Sequence, residues 1–226
     1  MASPETVQRF EVATRDVHRA HESIRDTFAG HRLLIRGSQQ DFRYRQTTAT
    51  AGDLAVDTAF HTMGVREEVD PIDATWVCLV TAGAFEIGHS RESVRGTAGE
   101  VLLFPQGVPF SCEWPTIDLR IVRLPTREIA SRAAAHAGLE PADFRFESLA
   151  PATPTLARYC ANTIGYVHSL VASPGSPAAE PLVQAAAMDA IAAAVLAAFP
   201  HNAAGDRPTG RLDAGTPASV RRALEF

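Results

Sequence analysis

The chain has 226 residues, 46% of them hydrophobic and 21% charged, enough for one good core or for a core with a helical appendage. Its net charge of −5 argues against a dedicated surface for nucleic-acid phosphates, and all 21 basic residues are arginine. No uncharged apolar run approaches the ~20 residues of a membrane span, the start MASPETVQRFEV lacks the basic-then-apolar order of a signal peptide, and three cysteines without metal spacing (Cys78, Cys112, Cys160) fit reduced core thiols of a cytoplasmic protein.

The first predicted element is a helix in TRDVHRAHESIRDTFAG. Thr14 or Asp16 caps it, Val17, Ala20, Ile24 and Phe28 recur at helical spacing, and Gly30 stops it. From Leu33 the period changes to two. DFRYRQTTA alternates Phe42, Tyr44 and Gln46 against Arg43, Arg45 and Thr47, and LAVDTAFH alternates Leu54, Val56, Thr58 and Phe60 against Ala55, Asp57, Ala59 and His61. Short strands follow at VREEV, TWVCLV, FEIG, ESVRG, EVLLF, PFSCEW and IDLRIVRL, most of them divided by turn residues, with a hairpin tip at Gly88–Ser90. Many short strands between regular turns predict a β-sandwich or barrel.

After Leu124 the helical period returns. PTREIASRAAAHAG is a short helix capped by Thr126 and ended by Gly138. TPTLARYCANTIGYVHSLV has Thr153 as cap and Pro154 at the first helical position, and LVQAAAMDAIAAAVLAAFP comes back after the turn SPGSPAAEP, closed by Pro200. The short link predicts an antiparallel helix pair. A polar linker then leads to TPASVRRALEF, the start of another helix capped by Thr216.

The strand–turn–strand stretch GEVLLFPQGVPF, the helix pair, the linker and SVRRALEF together resemble the N-terminal part of an AraC-type transcription regulator. The resemblance implies a mostly β fold with C-terminal helices, a cupin-like (jelly-roll) barrel plus an antiparallel helix pair. It divides the chain into an N-terminal arm and helix (1–32), the barrel (33–124), a helical dimerisation region (125–200), and a linker with the cut first helix of a DNA-binding domain that this chain lacks (201–226).

Metal-dependent cupins carry histidines and a glutamate in two spaced motifs. On this chain the second motif fits through Gly99, Pro105 and Gly107, but its histidine place is Phe110 and its asparagine place Trp114. Anchoring the first motif at Gly83 puts Trp76 at the glutamate place, and Asp70 and Ile72, or Val69 and Pro71, at the histidine places. A mononuclear site needs about three protein ligands, so no metal, cofactor or catalytic residue is expected. Pro105 and Gly107 remain as the residues that make the turn. His61 and His89, lone histidines at a strand end and a hairpin tip, read as surface or structural residues.

Cupin ligand positions point inward, so the resemblance places Trp76 and Phe110 in the barrel, and the period of two adds Cys78, Cys112 and Trp114. In the last strand Asp118, Arg120 and Val122 share one face, and Asp118 and Arg120 are candidates to bring charge to the pocket. These seven residues, Trp76 to Arg120, either line a small-molecule site or fill a solid core with the charges outside; both readings stay open. The same holds for Leu156, Tyr159, Ile164, Val167 and Val171, which meet a second copy in a homodimer or pack on the barrel. The implied function is effector sensing and dimerisation in a regulator that touches DNA only through the missing domain, without a membrane. A non-regulatory cupin enzyme and a dimerisation module without a pocket are the alternatives.

Overall fold

The computed structural model describes residues 7–27, 31–36, 42–90, 92–137 and 140–204. The expected last helix, SVRRALEF, therefore lies outside the described residues, as do the helix stops Gly30 and Gly138 and the helical position Phe28.

Ten strands run in the order β1 (Gln8–Thr14), β2 (His31–Arg36), β3 (Tyr44–Ala51), β4 (Leu54–His61), β5 (Gly64–Val69), β6 (Ala74–His89), β7 (Glu92–Thr97), β8 (Val101–Leu103), β9 (Phe110–Trp114) and β10 (Ile117–Pro125). Helix α1 (Val17–Thr27) sits between β1 and β2; α2 (Thr126–Ala137), α3 (Pro154–Ala172) and α4 (Pro181–Ala198) follow β10. Every pairing among the described strands is antiparallel.

The strands curl into two facing sheets. The first has β1, β3, β4, β10, the N-terminal half of β6, and β8; the second has β2, β5, β9, the C-terminal half of β6, and β7. The sequence reads β6 as two strands because Gly83 interrupts it. The structure keeps one strand of 16 residues that turns the corner between the sheets. Gly83 makes the corner at φ +80°, where a Cβ would lie 2.0 Å from the Thr116 carbonyl oxygen, so only glycine fits. Gly107 holds the expected turn after Pro105 at φ +67°, its N–H donating to the Ile72 carbonyl at 3.0 Å.

The N-terminal segment differs from expectation. Gln8–Thr14 is a sheet strand paired along its length with β3, so the boundary at residue 33 cuts through the barrel's own secondary structure. Asp16 caps α1, accepting from the His18 N–H at 2.8 Å. Ala20 and Ile24 then pack with Val12, Phe42, Tyr44 and Met63.

The helix pair is as read. Thr153 accepts from the Leu156 N–H at 3.3 Å to start α3, and Pro181 starts α4. α4 is long and apolar enough to cross a membrane by length and composition, but Ala187, Ile191, Ala194, Val195 and Ala198 are buried in the protein's own core. That core lies between the helix pair and the outer face of the first sheet, which contributes Leu54, Val56, Val77, Val122 and Leu124. A second core, between the two sheets, holds Trp76, Cys78, Val80, Phe85, Phe110, Cys112 and Trp114.

This corrects the assignment of the helix residues. Ile164, Val167 and Val171 are fully buried, and Leu156 packs against the same cluster. They face the sheet, whose outer surface is apolar and buries its side chains against them. Of the five candidates only Tyr159 is exposed, together with Tyr166 one heptad on.

Candidate functional site: an aromatic cavity between the sheets

Between the sheets lies a cavity of about 70 Å³. Alternation along each strand places its lining. Ala59 and His61 come from β4, Glu67 and Val69 from β5, Phe110, Cys112 and Trp114 from β9, and Ile117, Leu119 and Ile121 from β10. Trp76 and Phe85 come from the two halves of β6, Phe104 from the segment after β8, and Tyr44 and Ile24 close the side toward α1.

The rings form one connected set of edge-on and tilted contacts. Trp76 meets Phe104 at 5.7 Å between centroids, Phe104 meets Phe85 at 5.7 Å and Phe110 at 5.9 Å, and Phe85 meets Trp114 at 5.6 Å. Trp114 meets His61 at 5.2 Å, and His61 meets Tyr44 at 4.7 Å. Such geometries suit the ring quadrupole and fix each ring's orientation.

The polar groups gather at the end where Tyr44, His61, Glu67, Cys112 and Trp114 meet. Burial drives their protonation. It pushes the Glu67 carboxyl up to about 8 and the His61 imidazole down to about 3, so both are uncharged near neutral pH. It also pushes the Cys112 thiol up, with Glu67 adding to the effect, and the Cys78 thiol to about 12. Both thiols are therefore protonated near neutral pH. Among the described lining residues, His61 Nδ1 and Trp114 Nε1 are buried without a hydrogen-bond partner within the protein.

A polar row leads from this end along the inner face of the first sheet. Ser23 of α1 donates to Gln46 Oε1 at 3.1 Å, and the Tyr44 hydroxyl donates to the same oxygen. The Gln46 amide donates to Thr48 at 3.4 Å, and Thr48 donates to Asp57 Oδ1 at 2.6 Å. Arg123 grips Asp57 with Nε at 2.6 Å and Nη2 at 3.1 Å. Its Nη1 returns to α1 at the Thr27 carbonyl, 3.3 Å away, and its guanidinium lies 5.8 Å from the Trp76 ring centroid. The row thus ties α1 to the barrel at two points.

The profile of the AraC-binding-like domain family matches residues 20–197. The chain belongs to that family. No curated protein sequence matches it. Among solved structures, this AraC-binding-like domain is similar to the AraC-like transcriptional activator CuxR, with TM-score 0.64, 18% identity, and coverage of 85% of this chain and 72% of that one. It is also similar to the Cnp3 cupin domain of Schizosaccharomyces pombe (TM-score 0.33, 12% identity, 46% and 77% covered) and to KdgF from Halomonas sp. (0.33, 15%, 41% and 92%).

Of the pocket candidates, Trp76, Phe110, Cys112 and Trp114 line the cavity, and Cys78 is buried in the same core beside them. Asp118 and Arg120 are a correction. They lie on the opposite face of β10, with Val122, toward α3, while Ile117, Leu119 and Ile121 point inward. The last strand turns its apolar face to the aromatic interior and sends in a single charge, Arg123, which Asp57 neutralises. Sequence reasoning missed His61, Glu67 and Tyr44 as lining residues. Among the described residues no group of three His, Cys, Asp or Glu side chains could hold a metal ion, and Trp76 and Phe110 stand at two of the places that the cupin resemblance gives to metal ligands.

Proposed function

We propose that the AraC-binding-like domain is the effector-sensing and dimerisation part of a bacterial AraC-type transcription regulator acting in the cytoplasm. It holds a small molecule between its sheets without transforming it, and couples that binding to a DNA-binding domain. The observation that carries this reading is the cavity, an aromatic enclosure with partnerless polar atoms in its wall. Apolar rings supply contact area and a few placed polar groups supply orientation, which is how small-molecule sites are built. Among the described lining residues, His61 and Glu67 are shifted toward neutrality, which favours holding over chemistry.

A thermal-shift screen with small uncharged compounds tests it. At a concentration one hundred times its Kd, a ligand adds about 2.7 kcal/mol, which for a domain of this size raises Tm by about 5–10 °C. Ala59→Leu, which fills the cavity from β4, is expected to abolish the response while melting remains cooperative. A domain whose melting ignores every compound is an assembly module instead.

The proposed homodimer uses the outer face of the helix pair, where Tyr159 and Tyr166 are 48% and 57% exposed. Changing both to alanine is expected to shift sedimentation to the monomer and to cost little monomer stability. A loss of stability without a change of mass would place the dimer contact elsewhere.

A further inference from the structure

We infer that the cavity is built for a small uncharged alcohol of about five non-hydrogen atoms, its hydroxyl held between Trp114 and His61. This rests on the proposal that the barrel binds an effector and names the chemical class of that effector.

Trp114 and His61 are each only 4% exposed, and Trp114 Nε1 and His61 Nδ1 are buried without a partner. A buried polar atom without a hydrogen bond carries a desolvation cost that a matching ligand removes. The two atoms ask for different things. An indole N–H can only donate, so it needs an acceptor. The His61 imidazole, uncharged in its apolar surroundings, accepts at Nδ1 when its proton sits on Nε2, so it needs a donor. The two rings are neighbours in the wall, edge to face with centroids 5.2 Å apart, and the inference places one oxygen between the two atoms. A hydroxyl group is acceptor and donor at a single atom and satisfies the pair.

Other classes fit less well. An ammonium group has no lone pair for the indole. A carboxylate would be buried without a cation, since no arginine is among the described lining residues and the chain has no lysine at all. A carbonyl would take the indole N–H and leave His61 Nδ1 as it is. The remaining lining, chiefly Phe85, Phe104, Phe110 and the isoleucines, suits an alkyl body. Volume sets the size, since about 10–15 Å³ of such space holds one water-sized group.

Nuclear magnetic resonance reads this directly. The chain has two tryptophans and therefore two indole N–H signals, and Trp114→Phe identifies the one that matters. Titration with isobutanol is expected to move the Trp114 signal saturably, with isobutylamine and isobutyrate binding at least about tenfold more weakly. His61→Phe, checked first for cooperative melting, is expected to weaken isobutanol about tenfold. Isobutyl chloride, of similar shape but without the O–H, is expected to be weaker than isobutanol on the native protein and unaffected by that change. Equal binding of chloride and alcohol, or unchanged alcohol affinity in His61→Phe, overturns the inference. If isobutanol has no effect but other compounds in the thermal screen do, the alcohol class falls and effector sensing stands; if nothing binds in either experiment, both fall.

Discussion

Arg123→Ala is expected to cost the domain about 3–5 kcal/mol, because it leaves a buried carboxylate without its cation. The Asp57 side chain is fully buried and that of Arg123 is 18% exposed. Burial pushes the Asp57 carboxyl up from its ordinary value; Arg123 first, and then the Thr48 hydroxyl, pull it back. Without the guanidinium only the Thr48 hydrogen bond remains to offset desolvation. The carboxyl then holds its proton to higher pH in the fold than in the unfolded chain, so the loss grows as pH rises above the ordinary aspartate range. Asp57→Ala combined with Arg123→Ala removes both charges and is expected to be more stable than Arg123→Ala alone. Urea denaturation of the three variants checks this, and a double variant as unstable as the sum of the singles would show that the pair is not the source of the loss. Because Arg123 also holds the Thr27 carbonyl, amide exchange in α1 is expected to speed up in the single variant.

The second large effect is on pH dependence. Glu67 has a folded value of about 8 against an ordinary 4.5. Between those values the unfolded chain has released a proton that the fold still holds, so stability falls as pH rises from 4.5 to 8. His61 works in the other direction, with a folded value of about 3 against 6.5. There the unfolded chain takes up a proton that the fold refuses, and stability falls as pH drops from 6.5 to 3. Glu67→Gln is therefore expected to gain nothing below pH 4.5 and a few kcal/mol at pH 8, at about 1.4 kcal/mol per pH unit as an upper slope. In heat denaturation this is a Tm gain of about 5–10 °C at pH 8. His61→Phe shows the mirror image, its stability relative to the native chain rising as pH falls from 6.5 to 3. Taking differences between chains at each pH cancels the other titrating groups. A gain from Glu67→Gln that does not change with pH would show that the carboxyl is not desolvated in the fold.

Helix caps and turn residues made α1, α3, α4 and most strands legible, because Asp16, Thr153 and Pro154 act locally. β1 was not legible. It is an edge strand with only Val12 buried, so its stability comes from backbone pairing with β3 and leaves no apolar alternation to read. In the site, Trp76, Phe110, Cys112 and Trp114 could be placed inward because the family resemblance fixed the phase of their strands. For β10 the period of two gave the two faces but not which one is inside, and the choice of Asp118 and Arg120 went to the wrong face. The apolar trio Ile117, Leu119 and Ile121 was the signal for the right one. Glu67 also had a signal, since it stands between Val65 and Val69 on the apolar face of VREEV, as His61 stands in line with Ala55 and Ala59. The burial of Ile164, Val167 and Val171 against the sheet rather than a second chain depends on which surface is left uncovered, and periodicity carries no information on that.

The first sheet is a partition wall with a tenant on either side. Ile121 touches the space where a guest would sit, and its neighbour Val122 touches the bed of α3. The two are consecutive residues of one strand whose side chains point to opposite faces. Under the proposed sensing function, news of occupancy would need no relay of loops or long lever: a slight bulging of β10 or β4 would tilt the floor under the helices, and Tyr159 and Tyr166 on their far side would ride with it.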